Sequence, residues 1–535
     1  MYFPPFTRLL FVQFERTSQA CKGRLALLEC ALRIWPGLLM SHRTPPGKGK
    51  TGMSRRRHIA PFEVEIRALG KGGVGIGDAP DGKEIWVKPA PPGSRIHVHP
   101  MGFRKGRWQG RRVSMVRPPE EAVEPSCSVF GLCGGCQLQE LALPAQQKAK
   151  ERYALTQVAT PRGCTVEELA EECEVHEVRS TGSAYHYRNK VELSFGGQRY
   201  LSEADHRAGL PIDGRFLGFH APGRFDRVVD VERCWLISDE ANALLGAVRE
   251  SILTHSELPL WNPRTHQGFW RHAVIRQGMA TGELLLCLYS RSVQNPEEQA
   301  DVEAALARLQ EVSLPEGASL VGLAWFTNDG VADVARGDLQ FLHGRPWLEE
   351  HLGTKRFKVS IGSFFQTSTA GAVLLYDTLK EACGEVGGDL YDLYCGTGSI
   401  GIYLTDAFDK VIGVEEVEQA IENAWENAQW NGVEQVSYFA SKMEDALDLL
   451  PEQNPEATLL VDPPRAGLHP KVAKQLAKTP GKQLLYVACN PASLGRDTVF
   501  LEEGHWKLVQ LWTVDLFPQT GHIEMIGRFV RKEEA

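Results

Sequence analysis

The chain has 535 residues, 43% hydrophobic and 24% charged, an ordinary balance for a soluble globular protein with room for roughly two to four domains. No apolar run approaches the roughly 20 residues that a membrane helix needs, which excludes a helical membrane protein. The formal charge of −8 argues against a polyanionic partner only until its distribution is read: residues 43–117 hold 17 Lys and Arg against 5 Asp and Glu, a local balance of +12 that leaves −20 on the rest. A basic module on an acidic body is a footprint of enzymes that act on nucleic acid.

Residues 1–50 carry short apolar pieces among scattered Arg and Pro and fit poorly with the rest of the chain. A transit peptide and a misassigned start upstream of Met40 or Met53 both accommodate them, so 1–55 is left unassigned. From 58 to 118, Val and Ile alternate with polar residues between Gly/Pro clusters, the pattern of a small OB-like β-barrel. Lys71, Arg104, Lys105, Arg107, Arg111 and Arg112 are its candidates for phosphate contact. Trp86 and Trp108 suit either base stacking or the barrel core.

Residues 119–350 read as a mixed α+β central domain. It opens on a cysteine cluster and a helix-like run (LQELALPAQQKAKERYALTQV), and then mixes β-like pieces with helical ones. Among 12 cysteines, Cys127, Cys133 and Cys136 fall within ten residues, which points to reduced thiols and a metal site rather than a disulfide framework. The C-x5-C-x2-C spacing fits zinc and an iron–sulfur cluster equally, and is not the C-x3-C-x2-C of radical S-adenosylmethionine enzymes.

In 355–535 the character changes. Five apolar strands (DLYDLYCG, KVIGVEE, VSYFAS, ATLLVDPP, QLLYVACN) alternate with helices, the clearest from Val417 to Trp430, and two strand-like runs close the chain as an expected antiparallel edge pair. Alternation of this kind predicts an α/β fold with a mostly parallel seven-stranded sheet.

Ligands of such sheets bind at the carboxyl ends of the strands. The first strand ends in Cys395-Gly396-Thr397-Gly398, and Glu415 ends the second, placed to accept ribose hydroxyls. Gly396, Gly398 and Gly401 also satisfy a dinucleotide spacing, so these features alone leave NAD open. Asp462-Pro463-Pro464-Arg465 at the fourth strand end tips the balance, because a rigid Asp-Pro-Pro there suits the grip on a flat base beside a methyl donor.

Methylating uracil at C5 needs an activated cysteine to add at C6 and a base to take the C5 proton. Cys489 ends the fifth strand just before a helix start, where the helix N-terminus and a nearby cation would favour thiolate. Cys395 competes but lies in the glycine turn under the cofactor. Glu524, at the start of the last strand, is the candidate base.

Taken together, CGGCQLQ at Cys133, YRNKVELSFG at Tyr187, SFFQT at Ser363, DLYCGTGSIG at Asp392, VDPPRAGLHP at Val461, YVACNPASLGRD at Tyr486 and DLFPQTGHIEM at Asp515 resemble the uracil-C5 RNA methyltransferase family, over about residues 59–529. The resemblance implies a Rossmann-like methyltransferase domain, Cys489 as nucleophile and Glu524 as base. It also implies that Gln366, Tyr394, Glu415 and Asp462 line the S-adenosylmethionine and base pocket. At Ser399, where the family often has Asn, a shorter hydroxyl replaces one hydrogen bond. The resemblance further implies a 4Fe-4S cluster on Cys127, Cys133, Cys136 and Cys234, the last following GFHAPGRFD. The barrel resembles a TRAM domain, which by analogy favours ribosomal RNA over tRNA. The expectation is a cytoplasmic monomer. The competing readings are a methyltransferase for another RNA base, an inactive RNA-binding assembly factor, and an NAD-dependent oxidoreductase.

Overall fold

The computed structural model describes residues 60–384, 387–451 and 454–532. Residues 1–55, with the alternative starts at Met40 and Met53, lie outside them.

Strands β1 (Phe62–Gly70), β2 (Val74–Asp78), β3 (Glu84–Lys88), β4 (Arg95–Arg104) and β5 (Arg107–Arg117) form a closed barrel in the order β1-β2-β3-β5-β4. Val64, Ile66, Ile85, Val87, Ile96 and Val98 fill it, alternating along their strands with outward polar residues. Trp108 packs at the margin of this core, and Trp86 lies under the Arg107 guanidinium at 3.6 Å. Part of the expected phosphate-binding set is therefore already engaged. Arg107 covers Trp86, Arg111 pairs with Glu203 at 2.5 Å, and Arg112 makes a two-pronged pair with Glu140 at 2.6 and 2.9 Å.

A long helix, Leu143–Arg162, comes after the barrel, and then two very short strands, β6 (Glu174–Val175) and β7 (Arg179–Ser180). The mixed α+β unit comes next: β8 (Lys190–Gln198), β9 (Asp213–Ala221), β10 (Arg224–Asp230), β11 (Trp270–Gln277), β12 (Glu283–Ser290), β13 (Ser319–Thr327) and β14 (Asp338–Gly344). They lie in the order β10-β9-β8-β11-β12-β13-β14. Helices Asp239–Val248 and Pro296–Gln310 bury Leu244, Leu245, Val302 and Leu306 against this sheet. The hairpin β15 (Trp347–Leu352) and β16 (Lys355–Ser360) leads into the last sheet.

That sheet is built from β17 (Asp389–Leu393), β18 (Lys410–Glu415), β19 (Val436–Ala440), β20 (Thr458–Val461), β21 (Gln483–Ala488), β22 (Trp506–Asp515) and β23 (Glu524–Arg531), in the order β19-β18-β17-β20-β21-β23-β22. The first five are parallel and β23 runs antiparallel between β21 and β22. Their side chains feed two cores: Leu393, Val414, Leu459 and Ala488 on one, Leu390, Val411, Leu460 and Val487 on the other. Such two-sided burial explains why these strands read as apolar runs instead of alternating ones.

The sheet differs from the expected seven strands. It has nine, because β6 and β7 pair in parallel with β22. The final hairpin is therefore covered rather than an edge. Two-residue strands carry no periodic signal, so the local pattern holds no hint of them. The helix Leu143–Arg162 lies across helix Pro491–Glu503 at Gly495, where a Cβ would stand 2.2 Å from Gln157 O, and only glycine permits that approach.

Candidate active site

At the end of β17 the chain turns sharply. Tyr394 (φ 69°), Gly396 (φ 55°) and Gly398 (φ 75°) are left-handed, and the amides of Tyr394 and Cys395 both donate to Val414 O, at 2.9 and 3.0 Å. The turn thus sits over the end of β18, where Glu415 lies. Gly396 N–H donates to Glu415 Oε2 (3.2 Å) and Val417 N–H to Oε1 (3.0 Å), so two backbone amides aim this carboxylate.

Asp392, one step before the turn, is fully buried. Gly401 N–H donates to its Oδ2 at 3.0 Å, while Oδ1 has no hydrogen-bond partner. Burial, then the charge of Asp462, pushes its carboxyl up to about 7. Burial does the same to Asp462 at the end of β20, again to about 7. Tyr376, on helix Thr369–Cys383, meets Ser399 hydroxyl to hydroxyl at 2.8 Å and feels the charges of Asp462, Asp392 and Glu524. The hydroxyl at Ser399 is therefore engaged by a protein partner.

The antiparallel register of β21 and β23 pairs Ala488 with Met525, which carries Cys489 and Glu524 to the same end of the sheet. Glu524 is only 5% exposed. Burial raises its carboxyl well above the usual range, the charge of Asp462 adds to this, and Arg465 opposes it. Burial also pushes the Cys489 thiol up to about 11, with Glu524 and Asp462 adding to the rise and the hydrogen-bonded Arg465 guanidinium pulling it down. The sequence places Cys489 where a helix N-terminus and a nearby cation would favour the thiolate. The cation is present, but desolvation and two neighbouring carboxyls outweigh it.

Of the residues singled out from the sequence, Cys489, Glu524 and Asp462 lie within electrostatic reach of one another, and Asp392 feels both Asp462 and Glu415. Gln366 lies in the loop before helix Thr369–Cys383, its carbonyl accepting from Asn189 Nδ2 at 2.9 Å. The Tyr394 ring turns elsewhere, packing on the core that holds Leu393 and Val414 and facing Glu444 and Asp497. Asp392, Arg465 and Tyr376 join the site without having been assigned to it from the sequence. The first two sit inside motifs already singled out, DLYCGTG and DPPR, whereas a mid-helix tyrosine gives no sequence signal at all.

Residues 348–533 match the family model described as tRNA (uracil-5-)-methyltransferase. An RNA methyltransferase of Caldanaerobacter subterraneus subsp. tengcongensis is 32% identical over 467 residues, covering 87% of this chain and 97% of its own. One of Chlorobaculum tepidum is 32% identical, with 83% of this chain and 90% of its own covered. The chain belongs to the uracil-5 RNA methyltransferase family. The crystal structure of Pyrococcus abyssi tRNA (uracil-54, C5)-methyltransferase in complex with S-adenosyl-L-homocysteine shares the fold, with a TM-score of 0.66 at 24% identity over 88% of this chain and 100% of that one. The protein is an S-adenosylmethionine-dependent RNA methyltransferase, and no described helix is long and apolar enough to cross a membrane.

The groups at these strand ends are of the kind a methyl donor with a ribose and a positive sulfonium needs. A two-amide cradle presents Glu415, and Asp392 keeps an unpaired buried oxygen beside it. The four cysteines are a different case. Cys127, Cys133, Cys136 and Cys234 are brought close enough to raise one another's thiols, and burial pushes Cys136 up to about 12. Yet among the described residues no group of three or more His, Cys, Asp or Glu side chains is set to hold a metal ion. The four cysteines expected to hold a cluster are neighbours, and burial raises each thiol above its ordinary value. Their hydrogen bonds go to protein partners instead: Gly135 N–H to Cys133 Sγ at 3.4 Å, and Gln139 to Cys136.

Proposed function

We propose that this methyltransferase acts on C5 of a uridine in RNA through a covalent bond between Cys489 Sγ and uracil C6. The observation that carries the reading is the meeting of Cys489, Arg465 and Glu524 at one strand end. S-adenosylmethionine supplies an electrophilic methyl on its sulfonium. Arg465, hydrogen-bonded to the thiol, favours its loss of a proton. With its proton passed to solvent, the thiolate adds to C6, and C5 becomes the nucleophilic carbon of an enolate and takes the methyl as the S–CH3 bond breaks and S-adenosylhomocysteine leaves. Glu524, once ionised, takes the C5 proton; the C5=C6 bond re-forms as Sγ leaves. Asp462 and Gln366 hold the base and donor edges of the pocket, Glu415 the ribose, and Tyr394 shapes the turn beneath them.

The closed barrel and its basic surface favour ribosomal RNA as the substrate, by its TRAM-like form. The second reading is tRNA, which the matched family model and the Pyrococcus abyssi enzyme carry in their names. The reducing cytoplasm suits so many free thiols. Cys127, Cys133, Cys136 and Cys234 are the residues that would hold a 4Fe-4S cluster, a soft metal group suited to an all-thiol donor set. Iron and acid-labile sulfide in anaerobically purified protein, lost in Cys136→Ser, is the measurement for that group.

The decisive experiment uses 5-fluorouridine-substituted RNA, whose C5 fluorine cannot leave as a proton. With S-adenosylmethionine, a gel-stable adduct on ribosomal RNA, absent in Cys489→Ala, is expected. An adduct on tRNA alone replaces the substrate. Methyl transfer to ordinary RNA without any adduct overturns the covalent mechanism.

A further inference from the structure

Beside the loop that carries Glu524, cations from three parts of the fold come together. The barrel turn at Gly72–Gly73 lies directly on Gly521, where a Cβ would fall 2.0 Å from Gly73 N and 2.5 Å from Gly72 C. Lys88, the last residue of β3, holds its Nζ over this turn, 3.3 Å from where a Gly72 Cβ would be. On the other side, Tyr187 donates its hydroxyl to Pro518 O (2.9 Å), and Asn189 donates to Gln366 O (2.9 Å). Arg188 is thereby fixed between the Glu524 loop and the Gln366 loop. Its Nε donates to Lys190 O at 2.7 Å, and its terminal guanidinium nitrogens have no partner among the described residues. Arg465 completes the set beside Cys489. All three cations reach His522, as does Lys150, which is already paired with Asp515; burial and these charges hold the imidazole down to about 4, hence neutral.

On and beside the barrel, several arginines are paired with acids. Arg67 meets Asp78 and Glu84, Arg95 and Arg117 share Glu65, Arg111 meets Glu203, and Arg112 meets Glu140. No ion pair within 4.0 Å of Lys88 or Arg188 exists among the described residues. Cations held near one another without acidic partners repel until an anion arrives.

We propose that Lys88, Arg188 and Arg465 form a seat for a backbone phosphodiester of the RNA strand next to the target uridine. This rests on the RNA methyltransferase reading and goes further, because it makes the barrel, the central unit and the catalytic sheet grip one phosphate together. The seat would fix the register of the strand while Cys489 and Glu524 meet the base.

The test is fluorescence anisotropy of labelled oligouridine RNA with the full chain over a series of KCl concentrations. Each single-strand phosphate contact contributes about 0.7 to the slope of log Kd against log salt. Lys88→Ala and Arg188→Ala should each weaken binding at low salt and lower the slope by part of that amount, and the double variant should lower it by up to about 0.7. Arg188→Lys should restore most of the slope. Lys507→Ala, which removes an equal charge from the opposite end of β22, should change nothing. Wild-type slope and affinity in both alanine variants would overturn the seat while leaving the RNA reading intact. A wild-type protein that does not bind oligouridine at low salt would overturn both.

Discussion

Lys150 Nζ and Asp515 Oδ1 stand 2.7 Å apart with both side chains wholly shut off from solvent. The lysine belongs to helix Leu143–Arg162, and the aspartate is the last residue of β22, at the root of the loop that ends in Glu524. Nζ also donates to Phe517 O at 3.0 Å. Nearby, Gln146 and Gln519 exchange hydrogen bonds at 2.9 Å each, and Leu138 N–H donates to Gln519 O at 3.0 Å. The candidate base is thus held in place by the cysteine-bearing segment and its helix as well as by its own sheet.

Breaking one partner of a buried pair costs about 3–5 kcal/mol. Lys150→Met should therefore lower the melting temperature and kcat, with KM little changed. Adding Asp515→Leu should recover much of the stability but not kcat, because Phe517 O still lacks its donor. Differential scanning fluorimetry beside steady-state kinetics checks this. Full recovery of kcat together with stability would make the lysine a structural residue only.

Arg465 is the cation that opposes burial at Cys489. Replacing it with Ala should raise the thiol further and cut the thiolate fraction by about tenfold for each unit of rise. The rate of Cys489 alkylation against pH, read by mass spectrometry, should shift to higher pH. Arg465→Lys should recover part of the shift. An unmoved profile in Arg465→Ala would remove the guanidinium from the activation of the thiol.

Burial holds Asp392 and Asp462 neutral up to about 7. The donor is cationic at its sulfonium and favours their ionised forms, so its binding should tighten as pH rises through about 7. Stability without donor should move the other way. The raised folded value means that the folded chain binds more protons than the unfolded one between about 4 and about 7, so stability falls as pH rises across that window. Asp392→Asn should therefore raise the melting temperature more at about pH 8 than at about pH 5, while weakening the donor. Calorimetric titrations and melts at both pH values test the two signs independently.

Glu415 is held at the end of β18 by two backbone amides. If it receives the ribose hydroxyls, Glu415→Ala removes charged hydrogen bonds worth about 1.5–3 kcal/mol. The Kd for S-adenosylmethionine should then rise by about 10-fold to about 100-fold, with kcat at saturating donor largely kept. An unchanged Kd by isothermal titration would assign the ribose to another residue.

Much of the catalytic sheet was legible in the sequence because its signals are local. Five apolar runs, each ending in a turn or in chemistry, mark parallel strands buried on both faces. Glycines mark the tight turn over β18, and the ends of β21 and β23 locate Cys489 and Glu524. What the residues could not reveal is whatever depends on distant partners. β6 and β7 have two residues each and exist only because β22 offers them a ladder. The environment that protonates Cys489 arises from burial and from Glu524 and Asp462, which reach it from two other strands. The link between Lys150 and Asp515 spans 365 residues, and neither residue announces the other. Periodicity and turn chemistry are properties of neighbours in the chain, and so they can be read from it. Desolvation and pairing are properties of neighbours in space, and only the packed tertiary structure decides them.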